Sequence, residues 1–195
     1  MKPLKVLSKK MSAFTLIELL VVISIIAILA SLALPAITGA LVKGQIAQTV
    51  SNYRQVYILT QSSSLDNQTA GGSGTFPGDG TNTTATWTNA IVPAYCSAAT
   101  FINLVKVKNF TTNTFVWSVA NTADSSAVFL STVGLTGAST NVTWNGSSPW
   151  GTNKGVALVT IGGSAITING TNSPVLSNGS VTGGTNTAGT ALPAM

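Results

Sequence analysis

Between Glu18 and Lys43 the chain runs for 24 residues without a charge, LLVVISIIAILASLALPAITGALV. As an α-helix this run spans roughly 36 Å at about 1.5 Å per residue, against a bilayer hydrocarbon core of about 30 Å. No other segment restricts the chain as much, because a block this apolar has to be placed in lipid or covered by other protein. Lys2, Lys5, Lys9 and Lys10 all precede it. By the positive-inside rule they belong on the cytoplasmic side, which sets everything after Val42 outside the cytoplasm.

Two residues depart from a plain anchor. Glu18 sits one turn into the apolar segment, where an unpaired carboxylate costs roughly 2.5–3.5 kcal/mol at mid-membrane and less near the interface, so it calls for a partner. Pro35 lacks a backbone N–H and leaves the carbonyl of Ser31 without its helical donor, which predicts a kink or a local opening.

The frame around these residues is Lys9-Lys10-Met11-Ser12-Ala13, followed by FTLIELLVVISIIAILASLALP from Phe14 to Pro35. It resembles the N-terminal signal of type IV prepilins and type II secretion pseudopilins. Counted from Phe14, Glu18 is the fifth residue and Pro35 the twenty-second, and both positions match the family pattern. The resemblance implies that a prepilin peptidase cuts between Ala13 and Phe14 on the cytoplasmic face and methylates the amino group of Phe14. It also implies that Glu18 pairs with the α-amino cation of a neighbouring subunit's Phe14. In a low-dielectric setting that pairing leaves neither charge alone and fixes register. Ala13 stands where the family usually has Gly, and Ala is small enough for cleavage to be expected. Ala27 also stands where Gly is frequent and favours helix by about 1 kcal/mol.

The formal charge of +5 does not point to nucleic acid. Without the four leading lysines, five bases face four acids. Lys43, Arg54, Lys106, Lys108 and Lys154 are scattered, with no dense basic stripe of the kind phosphate binding requires. Histidine is absent and Cys96 is the single cysteine, so no intramolecular disulfide forms. With Asp66, Asp79 and Asp124 the only acids outside the apolar segment, no triad, carboxylate pair or metal cluster can be assembled. No catalytic, cofactor or metal site is expected, and Asp66 and Asp79 are read as turn residues rather than calcium ligands.

After Pro35 the pattern becomes periodic, with Val42, Ile46, Val50, Tyr53 and Tyr57 marking one face of an amphipathic helix. Accumulating serines predict its end near Gln61 to Leu65. Residues 66–86 read as a connector, with a turn at Pro77-Gly78-Asp79-Gly80. A short helix is expected over Ser97 to Val107, capped by Ser97. Strands are expected over Thr114–Ala120 and Ala127–Val133, and a hairpin with a primed turn at Gly162-Gly163 joins Val156–Ile161 to Ser164–Ile168. The four tryptophans, Trp87, Trp117, Trp144 and Trp150, are read as core or interface residues. The tail is nearly all Gly, Thr, Asn, Ser and Ala and is expected to be irregular.

The expected class is therefore α+β and pilin-like. A long N-terminal helical stalk, transmembrane in its first half and amphipathic in its second, packs on a small antiparallel sheet. The expected divisions are a leader at 1–13, a membrane and filament-core helix at 14–42, and an amphipathic stalk at 43–65. A head at 66–168 and a tail at 169–195 complete the chain. The resemblance implies a filament subunit of a type II secretion pseudopilus or a type IV pilus. Its implied partners are prepilin peptidase, copies of itself and related pilin-like subunits, an inner-membrane assembly platform and the lipid bilayer. The precursor is expected in the inner membrane with its head on the periplasmic side. The alternative is an anchored or secreted β-rich binding module that uses the helix only as anchor or signal, with Ser31-Leu32-Ala33 as a secretory cleavage site.

Overall fold

The computed structural model describes residues 14–80, 82–108, 110–120, 122–123, 125–138, 141–168, 176–177 and 190–191. The expected leader, with Ala13, lies outside the described residues. The chain divides into two units, one up to Leu41 and one from Val42. A single helix, α1 (Leu16–Thr69), contributes to both.

In the first unit the helical assignment runs unbroken through Pro35, and Thr38 Oγ1 donates to the Pro35 carbonyl at 3.0 Å. Its apolar side chains are uncovered all round, as at Leu16, Ile23 and Leu32. The most apolar 18-residue window of α1 has a mean hydropathy of 2.8 and none of it is buried. By length and composition α1 can cross a membrane.

In the second unit α1 turns one face inward, burying Ile46, Thr49, Tyr53, Val56, Thr60, Ser63 and Ser64. The stripe is centred on hydroxyl residues as well as apolar ones. Thr49 Oγ1 donates to the Gln45 carbonyl and Thr60 Oγ1 to the Val56 carbonyl, which removes the cost of burying them. The helix also outlasts the expected end at Gln61 to Leu65. Ser63 Oγ donates to Thr75 Oγ1, and Ser64 Oγ accepts from the Thr75 N–H, so the serines are packed in the head instead of breaking the helix.

The expected α+β class is the one the chain adopts, and its layout of a long N-terminal helix with an antiparallel sheet fits a pilin-like fold. The strands are β1 (Thr114–Val116), β2 (Val128–Thr132), β3 (Leu135–Ala138), β4 (Asn141–Trp144), β5 (Val156–Thr160), β6 (Ala165–Ile168), β7 (Leu176–Ser177) and β8 (Thr190–Ala191). Five form one antiparallel sheet in the order β6-β5-β2-β1-β8, and three form another in the order β3-β4-β7. Every residue of β2 and β5 is buried, so the centre of the larger sheet is covered on both faces. Phe129 of β2 meets Phe76 and Trp87 edge-on, with ring centroids 5.0 and 5.6 Å away, and Trp87 meets Phe101 at 5.7 Å. All four tryptophans are in this core.

Four local expectations need correction. The connector does not extend to residue 86, because Thr83 and Thr86 form a capping box that starts α2 (Thr84–Ile91), with Trp87 and Ile91 buried one turn apart. The strands around β1 and β2 are shorter than expected, although the Trp117 N–H still reaches the Phe129 carbonyl. The hairpin forms as expected, but it pairs Val156 with Ile168 and Val159 with Ala165, one residue off the register of a two-residue loop, and its turn is not primed. Gly163 alone takes a left-handed φ of 77°, and its N–H donates to the Thr160 carbonyl, a three-residue loop closed by a glycine bulge. Finally, the tail is not wholly irregular, since β7 pairs with β4 and β8 with β1. The rest of the tail lies outside the described residues. The helix after Ser97, α3 (Ala98–Val105), is capped as expected by Ser97 Oγ accepting from the Thr100 N–H.

Candidate functional site

The residues singled out near the N-terminus lie at the start of α1. Phe14 is 75% exposed and precedes the helix, and Thr15 is its N-cap residue. Thr15 Oγ1 accepts from the Glu18 N–H at 3.3 Å. In return, Glu18 Oε2 accepts from the Thr15 N–H at 2.9 Å and from Thr15 Oγ1 at 2.6 Å. This reciprocal pair is a capping box, which satisfies donors that the first turn of any helix leaves open. A carboxylate in the first turn also faces the positive end of the helix dipole.

Thr15 is therefore a functional candidate that reading for apolar length passes over. Its signal was present as Thr15-Leu16-Ile17-Glu18, a Thr three residues before a Glu at the head of an apolar run. The arrangement leaves Glu18 Oε1 without a partner among the described residues, so one oxygen holds the cap while the other stays open to a second donor. Ala13 lies outside the described residues, and Pro35 is more than four turns along the same helix.

Among the described residues the head gathers no competing cluster of acids, histidines or cysteines. Asp79 Oδ2 accepts from the Phe76 N–H at 3.0 Å, bracing the Pro77-Gly78 turn, and Asp66 Oδ2 accepts from the Tyr95 hydroxyl at 2.6 Å. That bond, with burial and the nearby Asp66 charge, raises the Tyr95 pKa. Cys96 is half-buried, and burial pushes its thiol up, away from the reactive thiolate. Asp124 lies outside the described residues. Among the described residues no three His, Cys, Asp or Glu side chains gather where they could hold a metal ion.

Residues 8–34 match the family model described as the prokaryotic N-terminal methylation motif. No curated protein and no solved structure matches the chain. The matched stretch takes in the basic residues Lys9 and Lys10, the Ala13–Phe14 junction, the Thr15–Glu18 cap and the uncovered apolar helix as far as Leu34. A motif of this kind implies processing by prepilin peptidase and pilin-like subunits as company, and the apolar helix fits membrane anchoring. The chain carries the prokaryotic N-terminal methylation motif, the signal of type IV pilins and pseudopilins.

Proposed function

We propose that this chain is a structural filament subunit, a pseudopilin or pilin. It is cut between Ala13 and Phe14, methylated on Phe14 and held in the inner membrane until it is built into a filament through its N-terminal helix. The supporting observation is the methylation motif at residues 8–34 heading a helix whose apolar window has no cover of its own. Lipid covers such a surface in the precursor, and the equivalent helices of other copies cover it after assembly. In this reading residues 1–13 are the leader, 14–42 the membrane and core helix, 43–65 the stalk, and the remainder the head and tail, placed on the periplasmic side.

The reciprocal bonds with Thr15 support a double role for Glu18. Oε2 keeps the helix start closed, and Oε1 accepts the methylated amino group of a neighbour's Phe14. The chain is not an enzyme in this reading: no histidine is present, and the acids Asp66 and Asp79 are spent on structure. A head without a cysteine pair favours a pseudopilus over a pilus.

The test has two parts. Mass spectrometry of the mature protein should find N-methylated Phe14 as the first residue. An N-terminus at Leu34 would instead make the helix a secretory signal and overturn the reading. A deletion strain then separates the machines: loss of surface fibres by electron microscopy marks a pilus, and lost export with no change in fibres marks a pseudopilus.

A further inference from the structure

A cleft of about 400 Å³ opens on the head between α1 and the end of α3, within the range of about 300–1,000 Å³ typical of small-ligand sites. Successive turns of α1 line one wall with Gln45, Gln48 and Asn52. Asn103 of α3, with Lys106 and Lys108 just beyond it, lines the other. Trp150 also lines it and is 8% exposed.

The polar groups of the cleft keep hydrogen-bonding capacity that the chain does not use. Gln48 Nε2 donates to Asn52 Oδ1 at 2.9 Å, which orients both amides and leaves the Gln48 carbonyl as an acceptor and the Asn52 amide as a donor. Lys106 and Lys108 are exposed, and neither has an ion-pair partner among the described residues. Lys108 is held with a left-handed φ of 47°, unusual for a residue with a long side chain, in the turn closed by the Val107–Phe110 bridge. The acids Asp66 and Asp79 are engaged elsewhere and line no part of the cleft.

We infer that this cleft binds a carboxylate-bearing polysaccharide, with the amides on sugar hydroxyls and the two ammonium groups on the carboxylates. Amides match hydroxyls because each offers both a donor and an acceptor. Two lysines supply point charges for spaced carboxylates, and so sparse a pair falls short of the dense basic stripe that a phosphate backbone requires. A tryptophan buried this deeply cannot serve as a stacking platform, which separates the site from one for single-stranded nucleic acid. The inference does not rest on filament assembly, because every residue used belongs to the second unit, from Val42 on.

The test is calorimetric titration of the full-length protein in zwitterionic detergent with a tetramer of galacturonic acid. The neutral galactose tetramer, inorganic polyphosphate and a short single-stranded DNA serve as comparisons. The acidic tetramer should bind with a dissociation constant of about 1 mM or tighter, and added salt should weaken it. Lys106→Gln with Lys108→Asn should weaken it about tenfold, because two charge-assisted contacts are lost. Gln45→Ala, on an exposed helix position, should weaken it roughly threefold without changing thermal unfolding. No binding, equal binding of the neutral tetramer, tighter binding of polyphosphate or DNA, or binding unchanged in both variants would each overturn the inference.

Discussion

The Tyr53 hydroxyl of α1 lies 2.7 Å from Thr114 Oγ1 at the first residue of β1, inside the head. Thr114 Oγ1 donates onward to the Val105 carbonyl at 2.5 Å, so Tyr53 is the donor in the first bond. One chain of two hydrogen bonds thus ties the long helix, the sheet and the end of α3. Burial pushes the Tyr53 phenol far above its ordinary value of about 10. A phenol raised in the fold contributes stability that is present below its unfolded value and lost as pH rises through about 10 towards the folded one. Tyr53→Phe should cost about 1 kcal/mol at neutral pH. Thermal unfolding of the variant in detergent should also decline less above pH ~10 than that of the parent protein. Parallel pH curves for the two would refute the assignment.

Gly78 and Gly44 should respond to alanine in opposite directions. A Cβ on Gly78 would come within 2.5 Å of the Val119 carbonyl carbon and 2.7 Å of the Ala120 nitrogen, both backbone atoms with no rotamer to yield. Gly44 is helical and has nothing within 4 Å of its added Cβ. Gly78→Ala should therefore cost about 1–3 kcal/mol, and Gly44→Ala should gain about 0.5–1 kcal/mol. Denaturant midpoints of the two variants check both signs.

The contrast between these elements shows what the sequence made legible. The apolar run after Glu18 and the amphipathic stripe from Val42 are carried by local periodicity, so the long helix could be read directly. Its end could not. Ser63 and Ser64 look like helix breakers until Thr75, eleven residues beyond Ser64, supplies their partners. In the same way, α2 rests on a threonine box whose capping role is visible only if threonine is read as an N-cap. The pairing of β8 with β1 joins residues some seventy-five apart, and no local pattern in a Gly- and Thr-rich tail announces it. At the N-terminus, Glu18 and Pro35 stood out because they interrupt an apolar run. Thr15 did not, because its role depends on a hydrogen bond to Glu18 and not on its own polarity.

Cleavage gives a prediction that needs no folded head. A small residue at Ala13 and an uncharged one at Phe14 are what the proposed cut requires. Ala13→Arg or Phe14→Asp should leave a longer, uncut chain in the membrane fraction, while Ala13→Gly should be cut at least as completely as the parent. Gel mobility and the intact mass report the result. A parent-sized band from both charged variants would place the cut elsewhere.

The two oxygens of Glu18 suggest that its two roles can be separated. Thr15→Val removes the hydroxyl that caps the helix start but leaves the carboxylate in place, so it should weaken the first turn by about 1 kcal/mol. Fraying there should appear as faster amide exchange at Leu16 to Glu18, with filament incorporation reduced only in part. Glu18→Ala removes the cap bonds and also the charge offered to a neighbour, so incorporation should be lost while membrane insertion persists. Glu18→Gln is the deciding variant. Its amide oxygen can still accept from the Thr15 N–H, restoring the helix start, but it carries no charge to pair with an α-amino cation. If capping alone mattered, Glu18→Gln would assemble like the parent protein and Thr15→Val would fail. The ion-pair proposal requires the reverse order, and counting subunits in sheared filaments distinguishes the two.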